Sequence, residues 1–184
     1  MSYGNLSSLI YSLFLIVSLW GVGILILRSL SFRFNGILEE GLFAIGIGYA
    51  LITNILFFLG LFNLISYGSV LAVFIIAVLL ALYVLYSLFI KSKPFSYTIY
   101  RPNYYESLMI GLLLILFLTN IIGSLAPPTL GDSMNHHLSA PKYYGKIGGF
   151  PFIPISPWPT PGLMHVLYTQ TMILSNGVVC QVIS

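Results

Sequence analysis

Residues 6–27 read LSSLIYSLFLIVSLWGVGILIL, an apolar run relieved by Ser, Gly and an interfacial-type Trp20, and stopped by Arg28. A bilayer core about 30 Å thick is crossed by roughly 20 apolar residues in α-helix. Such a helix tolerates Ser and Gly because its backbone groups are already paired. The run is therefore expected to cross a membrane. It does not read as a cleaved leader, since no Lys or Arg precedes it, it is too long, and no small-residue cleavage pattern follows.

The same pattern recurs three times along the chain. After a link containing Arg33, Asn35, Gly36, Glu39 and Glu40, a second span is expected over about 41–62, carrying Gly41, Ala44 and Gly48, small residues suited to close helix packing. An uncharged turn around Asn63 to Gly68 leads to a third span over 68–90, ended by Lys91, Lys93 and Pro94. A Tyr-rich link runs to Glu106, and a fourth span over 107–125 ends before Pro127 and Pro128. The sequence thus predicts an all-α, polytopic transmembrane helical bundle. Its parts are four helices in 1–125, a long extracytoplasmic loop with short helices over 126–160, and the start of a fifth membrane-associated helix over 161–184.

Composition agrees with that reading. Of 184 residues 58% are hydrophobic and 6% charged, too little polar surface for a water-exposed domain of this size. The formal charge of +3 comes from seven scattered Lys and Arg, so there is no electrostatic footprint for nucleic acid, and membrane lipid is the expected partner. Cys180 stands alone in an apolar stretch, which excludes an internal disulfide and reads as a small packing residue. Thr53, Asn54, Thr119 and Asn120 lie at membrane depth, where interhelical hydrogen bonding is the commoner expectation and lining a cavity the other.

Arg28, Arg33, Lys91, Lys93 and Arg101 lie in the links after the first and third spans, whereas the link between the second and third has no basic residue. The positive-inside rule then puts those two links in the cytoplasm, and the N-terminus and the loop after the fourth span outside.

That loop departs from the rest: APPTLGDSMNHHLSAPKYYGKIGGFPFIPISPWPT, residues 126–160, holds Asp132, the last acidic residue of the chain, and two of the three histidines. A structureless loop of more than about 15 residues is usually functional or disordered, and aromatics with prolines argue against disorder. Gly131-Asp132 reads as a helix start, with the carboxylate capping free N–H groups. In such a helix Asp132, Asn135 or His136, Ser139 and Tyr143 share a face. Pro141 is expected to kink or end it, after which Lys142, Tyr143, Tyr144 and Lys146 form a cationic, aromatic patch suited either to a phosphate headgroup or to interfacial snorkelling. Asp132, His136 and His137 are also of the types that bind metals. Adjacent histidines on a helix point about 100° apart, so at most one easily joins Asp132, and neither a metal site nor a cofactor is assigned, although a divalent ion stays compatible. His165 is expected to be a hydrogen-bonded structural residue. Thr160-Pro161 should start the fifth helix, with Thr as cap and Pro in the first helical position. That helix is still short of a full span at Ser184, which predicts continuation into a longer protein.

The stretch GDSMNHHLSAPKYYGKIGGF, residues 131–150, followed by SPWPTPGLMHVLYT, residues 156–169, resembles the first extracytoplasmic loop of polytopic GT-C glycosyltransferases. The shared pattern is an Asp, a Tyr-His-Leu-like triplet represented here by His136-His137-Leu138, a Pro-Lys with Tyr, and a proline-rich turn into a helix. The resemblance implies transfer of a sugar from a polyprenyl-phosphate-linked donor to an acceptor hydroxyl outside the cytoplasmic membrane, with inversion; which acceptor it leaves open. It makes Asp132 the catalytic candidate, a general base or positioning group for the acceptor. His136, His137, Lys142, Tyr143 and Lys146 become candidates for substrate binding. A non-enzymatic transporter or assembly subunit is the other reading, and it predicts charged or broken helices near the bilayer midplane.

Overall fold

The computed structural model describes residues 3–32, 34, 36–90, 102–125, 137–151 and 161–183. Those residues form seven helices and no strand: α1 (Tyr3–Ser29), α2 (Ile37–Leu61), α3 (Tyr67–Ile90), α4 (Tyr104–Ser124), α5 (Ser139–Ile147), α6 (Leu163–Leu174) and α7 (Gly177–Val182). Within α1 to α4 lie four segments long and apolar enough to cross a membrane, Leu6–Ser29, Ile37–Leu61, Tyr67–Leu88 and Tyr104–Ser124. Large apolar side chains such as Leu38, Leu42, Ile76, Leu113 and Phe117 are exposed along them. Water-soluble monomers seldom expose apolar surface on that scale, whereas lipid solvates it.

Helix starts are set by local chemistry that hydropathy alone does not weigh. α2 begins at Ile37 rather than Gly41, because Glu39 and Glu40 sit in its first turn, where the unpaired N–H groups and positive end of the helix favour carboxylates. Arg28 at the end of α1 approaches Glu40 at 4.0 Å across this link. α4 begins at Tyr104 through a reciprocal cap: Asn103 Oδ1 accepts from Glu106 N–H at 2.9 Å, and Glu106 Oε2 accepts from Asn103 N–H at 2.7 Å.

Three helices make the centre. α1 packs on both α2 and α3. It approaches α2 so closely that Gly23 meets the backbone of Ala44 and Gly48 meets the backbone of Leu19. A glycine or alanine at each crossing lets the axes come together, as in small-residue packing between membrane helices. Leu19, Val22, Ile52, Leu56, Ile65, Val70, Ala77 and Val166 close the main core, and Ile24, Leu27, Ala44 and Val84 a second one toward the other end. α4 stands apart from this centre. None of its residues is buried, and it packs against α7.

The polar residues at membrane depth satisfy themselves locally instead of bridging helices. Thr53 Oγ1 donates to the carbonyls of Tyr49 and Ala50, Asn54 Nδ2 to that of Ala50, and Thr119 Oγ1 to those of Ile115 and Leu116. A hydroxyl or amide three or four residues past a carbonyl reaches it without any partner helix. For these three residues the expected interhelical bonds are therefore replaced by bonds within one helix.

The expected fifth helix is broken in two. α6 ends at Leu174 and Ser175 leaves the helical path; Asn176 then caps α7 by accepting from the N–H groups of Val178 and Val179. The Asn176 amide also donates to Ser8 Oγ at 3.0 Å, which fixes this break beside the start of α1. Thr160 lies outside the described residues. The cap of α6 is Gly162 in extended conformation, so Pro161 precedes the helix and does not occupy its first position.

Candidate functional site

α5 is short and strongly two-faced. Ala140, Pro141 and Tyr144 are buried, while Ser139, Lys142, Tyr143, Lys146 and Ile147 are exposed. The spacing of the exposed set, three or four residues apart, is that of one helix face. Pro141 does not end the helix, as the sequence suggested. It sits in the first turn, where its missing N–H would have had no helical partner anyway. The patch also loses one member, because Tyr144 is 1% exposed and packs edge-on against Phe150 with ring centres 5.0 Å apart.

Two backbone hydrogen bonds clasp the far end of α5 to the α2–α3 turn. Gly148 ends the helix with a φ of 84°, a left-handed conformation that glycine adopts without strain, and its carbonyl accepts from Ile65 N–H at 3.0 Å. Phe150 N–H donates to Gly60 carbonyl at 3.3 Å, and the Phe150 ring lies against Gly60 and stacks on Phe57. Lys142, Tyr143 and Lys146 are thus carried at the same end of the bundle as the α2–α3 turn.

α6 runs alongside α5 in the same direction, with His137 against His165 at their starts, Leu138 against Tyr168, and Gly145 against Ile173 toward their ends. It is 12 residues long, and every residue from His165 to Thr171 is buried, among them the polar His165, Thr169, Gln170 and Thr171. Thr169 donates to the His165 carbonyl at 2.8 Å, and Thr171 Oγ1 lies 2.8 Å from Cys180 Sγ. Burial pushes the Cys180 thiol up to about 11, so it stays protonated and acts as the packing residue its surroundings suggest.

No protein-family model, curated protein or solved structure matches the chain. Its own residues carry the functional reading.

The pair that sequence inspection missed is His137 with His165. Their Nδ1 and Nε2 atoms lie 3.3 Å apart, their ring centres 5.6 Å apart, and their planes are tilted by 31°. Burial, and secondarily His137 beside it, hold His165 below the ordinary histidine range. The two residues are 28 positions apart, so only the parallel packing of α5 and α6 joins them, and His165 passes from a lone structural histidine to a partner of a candidate site residue.

Asp132 and His136 lie outside the described residues, as does the expected helix start at Gly131-Asp132. Among the described residues no three His, Cys, Asp or Glu side chains gather in a way that could hold a metal ion. A cleft of about 940 Å³ opens between α4 and the α1, α2, α6 and α7 side, lined mostly by apolar groups, with Tyr49, Thr119, Asn120, Ser124 and Gln181 among its polar ones.

Proposed function

We propose that this chain is the N-terminal part of a membrane glycosyltransferase that moves a sugar from a polyprenyl-phosphate-linked donor to an acceptor hydroxyl on the extracytoplasmic face. The observation that carries the reading is α5, a two-faced helix that turns Lys142, Tyr143 and Lys146 outward together at one end of a membrane bundle, a few residues after Asp132. In this reading residues 126–160 are the long extracytoplasmic loop, and the N-terminus and the α2–α3 turn share its side of the membrane.

The chemistry follows from these groups. Asp132 takes the proton of the acceptor hydroxyl as its oxygen bonds to the anomeric carbon. The bond from that carbon to the lipid phosphate oxygen breaks, and the phosphate leaves with the electron pair. In this reading the ammonium groups of Lys142 and Lys146 offset the charge that develops on that phosphate, with Tyr143 as a hydrogen-bond donor, a role supported by the exposed helix face the three share. His136 and His137 complete the binding set.

The test is release of free polyprenyl phosphate from lipid-linked sugars in membranes containing the full-length protein. Asp132→Asn is expected to slow release by about 10²-fold or more at normal expression, the usual scale of a general base. Unchanged release would remove Asp132 from the mechanism.

One observation favours the second reading. α6 is too short to cross a bilayer, buries four polar side chains inside the bundle and is followed by a break at Ser175–Asn176, features shared with the interrupted helices of transporters. A protein that moves a solute without releasing any polyprenyl phosphate would match it.

A further inference from the structure

We infer that His165 is a positioning residue that fixes the tautomer of His137, so that His137 meets its ligand as a neutral imidazole carrying its proton on Nε2. For the ligand, an oxygen of a lipid-linked phosphate, the inference rests on the glycosyltransferase reading; for the tautomer it rests on geometry alone.

The separation of the ring centres exceeds that of the two nitrogens by about the width of one ring. The nitrogens therefore lie almost on the line between the centres, and each points at the other. Two histidines that ligate one metal ion would instead turn their nitrogens toward a third point to the side of that line. The arrangement is that of a hydrogen bond, at the long end of the range, which requires an N–H on one nitrogen and a lone pair on the other. The tautomers of the two rings are thereby coupled.

The surroundings of His165 decide which ring donates. His165 is the third residue of α6, and its Nδ1 turns back toward Gly162, the cap of that helix, 3.7 Å from where a Cβ on Gly162 would stand. The first turn of a helix directs unpaired N–H groups and a positive partial charge outward. A lone pair on Nδ1 suits that environment and an N–H does not. His165 therefore carries its proton on Nε2 and donates to Nδ1 of His137. With Nδ1 of His137 accepting, the His137 proton stands on Nε2, and whatever His137 contacts elsewhere through its ring nitrogens it contacts as a donor.

His165 is 8% exposed and its neighbours on α6, Val166 and Leu167, are buried, so the ring has little freedom to swing away. The same packing holds it neutral near pH 7, since burial lowers its affinity for a second proton. This is the relation of an orienting group to the histidine it serves: a buried partner sets which nitrogen bears the proton, and the half-buried partner uses the other.

The experiment is nitrogen NMR on full-length protein with isotope-labelled histidine in lipid nanodiscs, His137 being assigned by its loss in His137→Gln. The neutral wild-type protein is expected to show His137 protonated on Nε2. In His165→Phe the two tautomers of His137 should mix, and in His165→Gln, whose amide N–H can stand in for Nε2–H, the wild-type pattern should return. In the polyprenyl phosphate release assay, His165→Phe is expected to raise KM for the lipid-linked donor roughly tenfold while kcat holds, with His165→Gln restoring it. Wild-type His137 protonated on Nδ1, or a pattern indifferent to His165, would overturn the inference. Should His165→Phe not fold, the wild-type spectrum decides. The expected tautomers in a protein that releases no polyprenyl phosphate would uphold the positioning role and remove the glycosyltransferase reading.

Discussion

Gly48 on α2 lies against α1, and a methyl group placed on it runs into the carbonyl oxygen of Leu19; Gly23 on α1 meets the carbonyl oxygen of Ala44 in the same way. A crowded side chain can rotate aside, but a helical carbonyl moves only with its helix. Gly48→Ala is therefore expected to push α1 and α2 apart, an overpacking cost of about 1–3 kcal/mol. Alanine itself favours a helix interior over glycine by about 0.5–1 kcal/mol, which leaves a net loss of roughly 0–2.5 kcal/mol, centred near 1. Gly46, also on α2, has nothing within 4 Å of its Cβ position, so Gly46→Ala should be neutral or slightly stabilising. The double variant Gly23→Ala with Gly48→Ala should lose less than the sum of the two, because the separation that admits one methyl also makes room for the other. Reversible unfolding in mixed micelles, followed by helical circular dichroism, measures the wild type, the three single variants and the double. If Gly48→Ala is as stable as Gly46→Ala, the close approach of α1 and α2 is not what holds the centre together.

Other outcomes follow from the same contacts. His165 is held below its ordinary range, so the open form binds protons first: the α5–α6 contact should be firm above about pH 6.5 and weaken as the pH falls through that value toward the lowered one, read as faster amide exchange in α5. Cys180, buried and raised to about 11, should resist maleimide at pH 8 in the folded protein and react at the rate of an ordinary thiol once the chain is unfolded. Asn103→Ala removes one half of the cap on α4 and should cost about 1 kcal/mol, visible as fraying of residues 104–107 in hydrogen exchange with the rest of the bundle unchanged.

The four long helices were legible because each is an apolar run closed by a charge, a proline or a polar turn, and hydropathy needs no knowledge of neighbours. Their starts were less so. Asn103-Tyr104-Tyr105-Glu106 is a capping signal in plain sequence, but it precedes the hydrophobic run and is overlooked when the run defines the helix. Pro141 was misjudged because the cost of a proline depends on where the helix begins, and α5 begins at Ser139, only two residues earlier. The break after α6 is carried by Asn176, whose side chain caps α7 and meets Ser8, a contact across 168 positions that only the assembled bundle supplies. His137 with His165 is of the same kind: each residue type was noticed, and their meeting belongs to the packing of two helices.

The clasp between the α2–α3 turn and the end of α5 also sets an order of events during synthesis. Ile65 N–H and Gly60 carbonyl are made about eighty residues before Gly148 and Phe150, the groups that pair with them. At ordinary elongation rates of about 5–20 residues per second, that interval lasts on the order of 4–16 s. The hairpin of α2 and α3 thus waits as a ready template, and the lysine-bearing helix takes its place on an edge already built.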